Sequence, residues 1–75
     1  MNMENDQAKA ALARARADHA RALLAARDAP SDPQAQQQFR DAVRAGRAAW
    51  RGYQETATAG LAAQIEAIVP DAFRD

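Results

Sequence analysis

Cysteine is absent, so neither a disulfide framework nor a thiolate metal site can hold this chain together. Histidine occurs once, at His19, which cannot assemble a zinc cluster by itself. No apolar run is long enough to cross a membrane. The N-terminal stretch from Met1 to Ala8 holds Glu4 and Asp6 where a secretory signal would be greasy, so residence in the cytoplasm is the expectation. An excess of one charge is missing too, with ten basic and ten acidic residues. Dedicated nucleic-acid binders usually run basic, so such a role is not favoured.

Large apolar side chains are also few. The 48% hydrophobic content is mostly alanine, 22 of 75 residues. Alanine buries little area, and only about a dozen bulky side chains remain for a core, from Leu12 and Leu23 through Phe39, Trp50 and Tyr53 to Phe73. A single chain of this length is near the lower limit for independent folding, and association is a natural remedy.

What is present is helix. An Ala/Arg/Leu-rich stretch of high intrinsic propensity begins near Asn5 or Asp6 and runs to Ala29, where Pro30 stops it. Asp32 can cap a second helix, and Pro33 suits its first turn because no backbone donor is needed there. The second helix reads to about Val69, with Pro70 ending it, unless Gly46, Gly52 or the stretch from Thr56 to Gly60 bends it. The expectation is an all-α antiparallel hairpin of two helices, about 5–29 and 32–69, forming one domain over 1–75 with frayed ends at 1–4 and 71–75.

Folding the chain about Ser31 brings together residues whose numbers sum to roughly 62, so Phe39 meets Leu23 and Trp50 meets Leu12. On the second helix Phe39, Val43, Gly46, Trp50, Tyr53, Ala57 and Gly60 alternate at spacings of four and three, a heptad seam. Ala8, Leu12, Ala15, His19, Ala22 and Ala26 do the same on the first. That helix carries another strip, Ala10, Ala13, Ala17, Ala20 and Leu24, on a different face. Either it meets a second neighbour, or its alanines are simply exposed.

Unequal length points to association as well. A second helix of about 37 residues would overhang a first of about 25 by roughly 18 Å at 1.5 Å per residue. Leu61, Ile65, Ile68, Val69 and Phe73 lie on that overhang and need cover. The favoured reading is a homodimer forming a four-helix bundle, with Leu24, Trp50, Tyr53, Leu61, Ile65 and Ile68 at the interface. The competing one folds the segment after Gly60 back as a short third helix.

No chemistry accompanies this shape. His19 has no nucleophile beside it, and Glu66 and Asp71 lack the Glu-x-x-His pattern of helical di-iron sites. Gly46, Gly52 and Gly60 lack the Lys-Ser/Thr ending of a phosphate loop. Neither catalysis nor a cofactor nor a metal is expected. Arg40, Arg44, Arg47 and Arg51 form one stripe along the second helix, where Asp41 can reach Arg44 and Glu55 can reach Arg51. The first expectation for function is a small non-catalytic interaction module, partnered by itself or by another helical protein. The second is an anion- or nucleic-acid-binding regulator using that stripe. A chaperone or antitoxin-like partner, holding a different protein on the face from Leu61 to Phe73, is the third.

Overall fold

Alanine-rich sequence with acids at its start and arginine near its end suits a helix and its dipole, and the computed structural model, which describes residues 3–74, places α1 at Met3–Asp28. Glu4 and Asp6 occupy its first turn and Arg27 its last. The next helix, α2, spans Pro33–Thr56. Asp32 caps it as its side chain accepts from the Gln34 amide at 2.9 Å, with Pro33 in the first turn.

The end of α1 is closed by a residue from its neighbour. The last carbonyls of a helix lack partners within it. Gln36 supplies one, its side-chain amide donating to the carbonyl of Ala26 at 3.1 Å and, at longer range, to that of Ala29 at 3.5 Å. At the open end Asn5 donates to the Thr56 hydroxyl at 3.3 Å. Both cross-links fall on the antiparallel register expected from the heptad seam. That seam on α1 is the inward face, since Leu12, Ala15 and Ala26 are buried and Ala8, His19 and Ala22 half-buried.

The second helix does not run to Val69. It ends at Thr56, and Ala57 and Thr58 adopt extended backbone, with ψ of 151° and 160°. Two threonines make the break. The Thr56 hydroxyl donates to the Tyr53 carbonyl at 3.1 Å, and the Thr58 hydroxyl accepts from the Leu61 amide at 3.3 Å, capping a third helix, α3, at Ala59–Glu66. Pro70 follows, then a 3₁₀ turn at Asp71–Phe73. The hairpin of two helices, 5–29 and 32–69, is therefore replaced by a hairpin of matched lengths, 26 and 24 residues, with a folded-back tail. No strand occurs among the described residues.

The expected overhang disappears because the chain covers itself. Val69 and Phe73 are buried together with Leu12, Ala15, Trp50 and Tyr53 in one cluster, against which Ala49, Ile65 and Ala72 pack. Phe73 reaches α2 at Gly46, where a Cβ atom would lie 2.0 Å from its ring. Only glycine admits the ring there. The ring also meets His19 edge-on at 5.2 Å between centroids, with Phe39 at 5.5 Å on the histidine. Arg47 fastens the turn by donating from Nε to the Ala72 carbonyl at 2.9 Å, and Arg74 donates to the Val69 carbonyl at 3.2 Å. Of the ends, Met3 and Glu4 belong to α1 and 71–73 to the 3₁₀ turn, while 1, 2 and 75 lie outside the described residues.

Candidate functional site

The six residues assigned to an interface separate into two groups. Trp50 and Tyr53 stack at 6.1 Å inside the chain's own core, where Tyr53 is 2% exposed. Ile65 is half-buried against the same cluster. Leu24, Leu61 and Ile68 remain at the surface, exposed by 59, 44 and 51%. The first group is therefore spent on folding. The second is available.

Ile65 and Ile68 from the tail and Leu12 and Ala13 from α1 enclose a small apolar cleft of about 120 Å³, with Lys9 and Arg16 on its rim. Ala13 also belongs to the outer strip of α1, whose members Ala10, Ala13, Ala17, Ala20 and Leu24 are all exposed. The cleft and the strip therefore form one continuous face, running from Ile68 along α1 toward Leu24. Alanine along it permits the close approach of another helix.

A second surface lies on α2. Arg40, Arg44, Arg47 and Arg51 line a shallow groove of about 520 Å³ together with the apolar Phe39, Val43 and Ala48. Arg47 and Arg51 also line an adjoining cleft of about 320 Å³ that reaches Gln54, Phe73 and Arg74, with Glu66 on its lip. The spacing of the stripe thus brings all four guanidinium groups to one groove, as the sequence implies. Their partners differ from expectation in one case. Arg44 does lie 3.8 Å from Asp41, but Arg51 makes no ion pair with Glu55. Arg40 donates to the Gln37 side-chain oxygen Oε1 at 2.9 Å, while the Gln37 side-chain amide Nε2 donates to Asp41 at 2.8 Å.

Sequence reasoning missed two side chains that shape these surfaces. Phe73 was counted among residues needing outside cover, yet it closes the core and forms a wall of the second cleft. Its signal was Gly46, a residue without a side chain at a seam position facing a large ring. Gln36 gave no sequence signal beyond its place one turn into α2. No group of three or more His, Asp or Glu side chains among the described residues is placed to hold a metal ion, and no described helix is long and apolar enough to cross a membrane. Comparison with known proteins yields no matching family model, no matching curated protein and no matching solved structure.

Proposed function

We propose that this chain is a small, non-catalytic interaction module that pairs with a second copy of itself through the face joining Ile68 to Leu24. The exposure of Leu24 and Ile68 after the tail has folded back carries the reading. Covering a large aliphatic side chain contributes roughly 1.5 to 3 kcal/mol, so a two-fold interface that shelters each residue twice gains from every copy. Two α1 helices laid against each other, with two α2 helices outside, make a four-helix bundle. The alanine strip supports this arrangement because it holds the helices close enough for the flanking leucine and isoleucine to interlock.

The reading that a different protein is held on the face from Leu61 to Phe73 has less surface to use, since Val69 and Phe73 are internal. Self-pairing is tested by light scattering coupled to size exclusion over a dilution series. Wild type should give twice the chain mass at high concentration, whereas Leu24→Glu combined with Ile68→Glu should give the single-chain mass with an unchanged helical circular dichroism spectrum. A single-chain mass for the wild type at up to about millimolar concentration, where even a weak pair forms, would sink the proposal.

A further inference from the structure

The arginine groove on α2 is separate from the Ile68 to Leu24 face, and its composition defines a different kind of ligand. Four guanidinium groups within twelve residues of helix create a positive field; among the described residues Glu66 lines the adjoining cleft, Asp41 lies beside Arg44 and Asp71 pairs with Arg74. Contacts within the chain leave part of that charge available: Arg51 has no ion pair or hydrogen bond among the described residues, Arg40 is held by a neutral glutamine, and Arg44 stands 3.8 Å from Asp41 on exposed surface, while Arg47 is engaged with the tail at Ala72. Apolar side chains flank the charges, Phe39 and Val43 on one side and Ala48 on the other. A phosphate or a bare polyanion satisfies the arginines and leaves those side chains wet.

Length narrows the choice further. The groove and its adjoining cleft extend along α2 from Phe39 to Gln54, about 22 Å at 1.5 Å per residue. That is the length of about four turns of helix, far more than a single small anion needs. The guanidinium forks of Arg40, Arg44 and Arg51, at spacings of four and seven, match carboxylates repeated on one flank of a facing helix. Apolar residues of that helix would lie beside them, on Phe39 and Val43.

We propose that this groove receives an acidic amphipathic helix from another protein, its carboxylates on the arginines and its apolar edge on Phe39 and Val43. The proposal rests on the reading of the chain as an interaction module but not on self-pairing, which uses the opposite part of the molecule. Recognition of duplex nucleic acid through the same arginines is the competing outcome.

Fluorescence anisotropy separates them. The probe is a labelled synthetic peptide of about 18 residues, five helical turns, with leucines on one edge and glutamates flanking them. Full-length protein should bind it saturably in the micromolar range. Ala48→Glu places a carboxylate in the groove and should weaken binding by about tenfold or more, and Arg44→Ala and Arg51→Ala by about fivefold each. All three positions are exposed, so circular dichroism should show intact helices. Raising salt to about 0.5 M should lower affinity, and a shuffled peptide of equal composition without an apolar edge should bind at least about tenfold more weakly. Absence of binding, equal binding of the shuffled peptide, tighter binding of a duplex DNA oligonucleotide, or indifference to all three substitutions would overturn the proposal. Each outcome is read at a concentration where light scattering fixes the oligomeric state, so loss of peptide binding and loss of self-pairing are seen independently.

Discussion

Gly46 has no side chain because Phe73 occupies the place where one would be. Alanine at an interior helical position is ordinarily favoured over glycine by about 1 kcal/mol. At position 46 the sign should reverse, since the added methyl would lie 2.0 Å from the Phe73 ring and overpacking costs about 1 to 3 kcal/mol. Gly46→Ala is therefore expected to destabilise, whereas Gly52→Ala, with no atom within 4 Å of its Cβ position, should stabilise by up to about 1 kcal/mol. The pair can be tested as a double-mutant cycle by urea denaturation. Phe73→Ala alone should cost about 3 to 5 kcal/mol, and in that background Gly46→Ala should become stabilising because the obstructing ring is gone. Additive effects would show that the two residues do not share one space. The heptad pattern had already placed Gly46 at a seam and implied a close approach there. It could not say that the approaching group comes from the tail, because spacing records which face is inward and not what lies upon it.

At the scale of helices, the turn from Ala29 to Asp32 was readable because Pro30, Asp32 and Pro33 each constrain the backbone in a defined way. The break after Thr56 was visible only as one of several places where α2 could bend. Threonine costs a helix a fraction of a kcal/mol, too little to end it unaided. The decision belongs to tertiary burial: reversing the chain brings Val69 and Phe73 under cover, and the Thr58 hydroxyl then caps α3. Thr58→Ala should accordingly lose about 1 kcal/mol of stability while the tail stays folded. Gln36→Ala should lose a similar amount, about 1 kcal/mol, because its amide serves a carbonyl that α1 cannot satisfy internally. Thermal melts followed at 222 nm measure both, and an unchanged midpoint in Gln36→Ala would show that solvent replaces the bond without loss. The same distinction explains the candidate sites. The arginine stripe was legible since one helix fixes its geometry, as was the surface position of Leu24. That Trp50 and Tyr53 lie in the chain's own core was less legible, because Val69 and Phe73, which share that core, lie about twenty residues downstream, beyond any local pattern.

For the molecule as a whole, charge and concentration should act on different properties. The ion pairs of Asp18 with Arg21, Asp41 with Arg44 and Asp71 with Arg74 all link residues three apart on exposed surface. Such pairs contribute a few tenths of a kcal/mol at most, and net charge is zero, so screening these three pairs removes little folding energy. The core is apolar and small, so any cover gained by Leu24 and Ile68 should register in stability. If a second copy does, unfolding releases two chains and mass action must appear in the melt. A tenfold rise in concentration then shifts the equilibrium by about 1.4 kcal/mol per pair, or about 0.7 per chain. For a domain of this size that corresponds to roughly 3 to 6 °C in Tm. Melts at about 0.05 and 0.5 M salt should coincide within a degree or two, while melts across a hundredfold dilution should not. A concentration-independent Tm would mean that each chain folds alone and that its exposed leucine and isoleucine contribute nothing to its stability. A strong salt dependence would mean instead that the arginine groove is already engaged with acids of its own chain, removing the charge from which its proposed ligand was inferred.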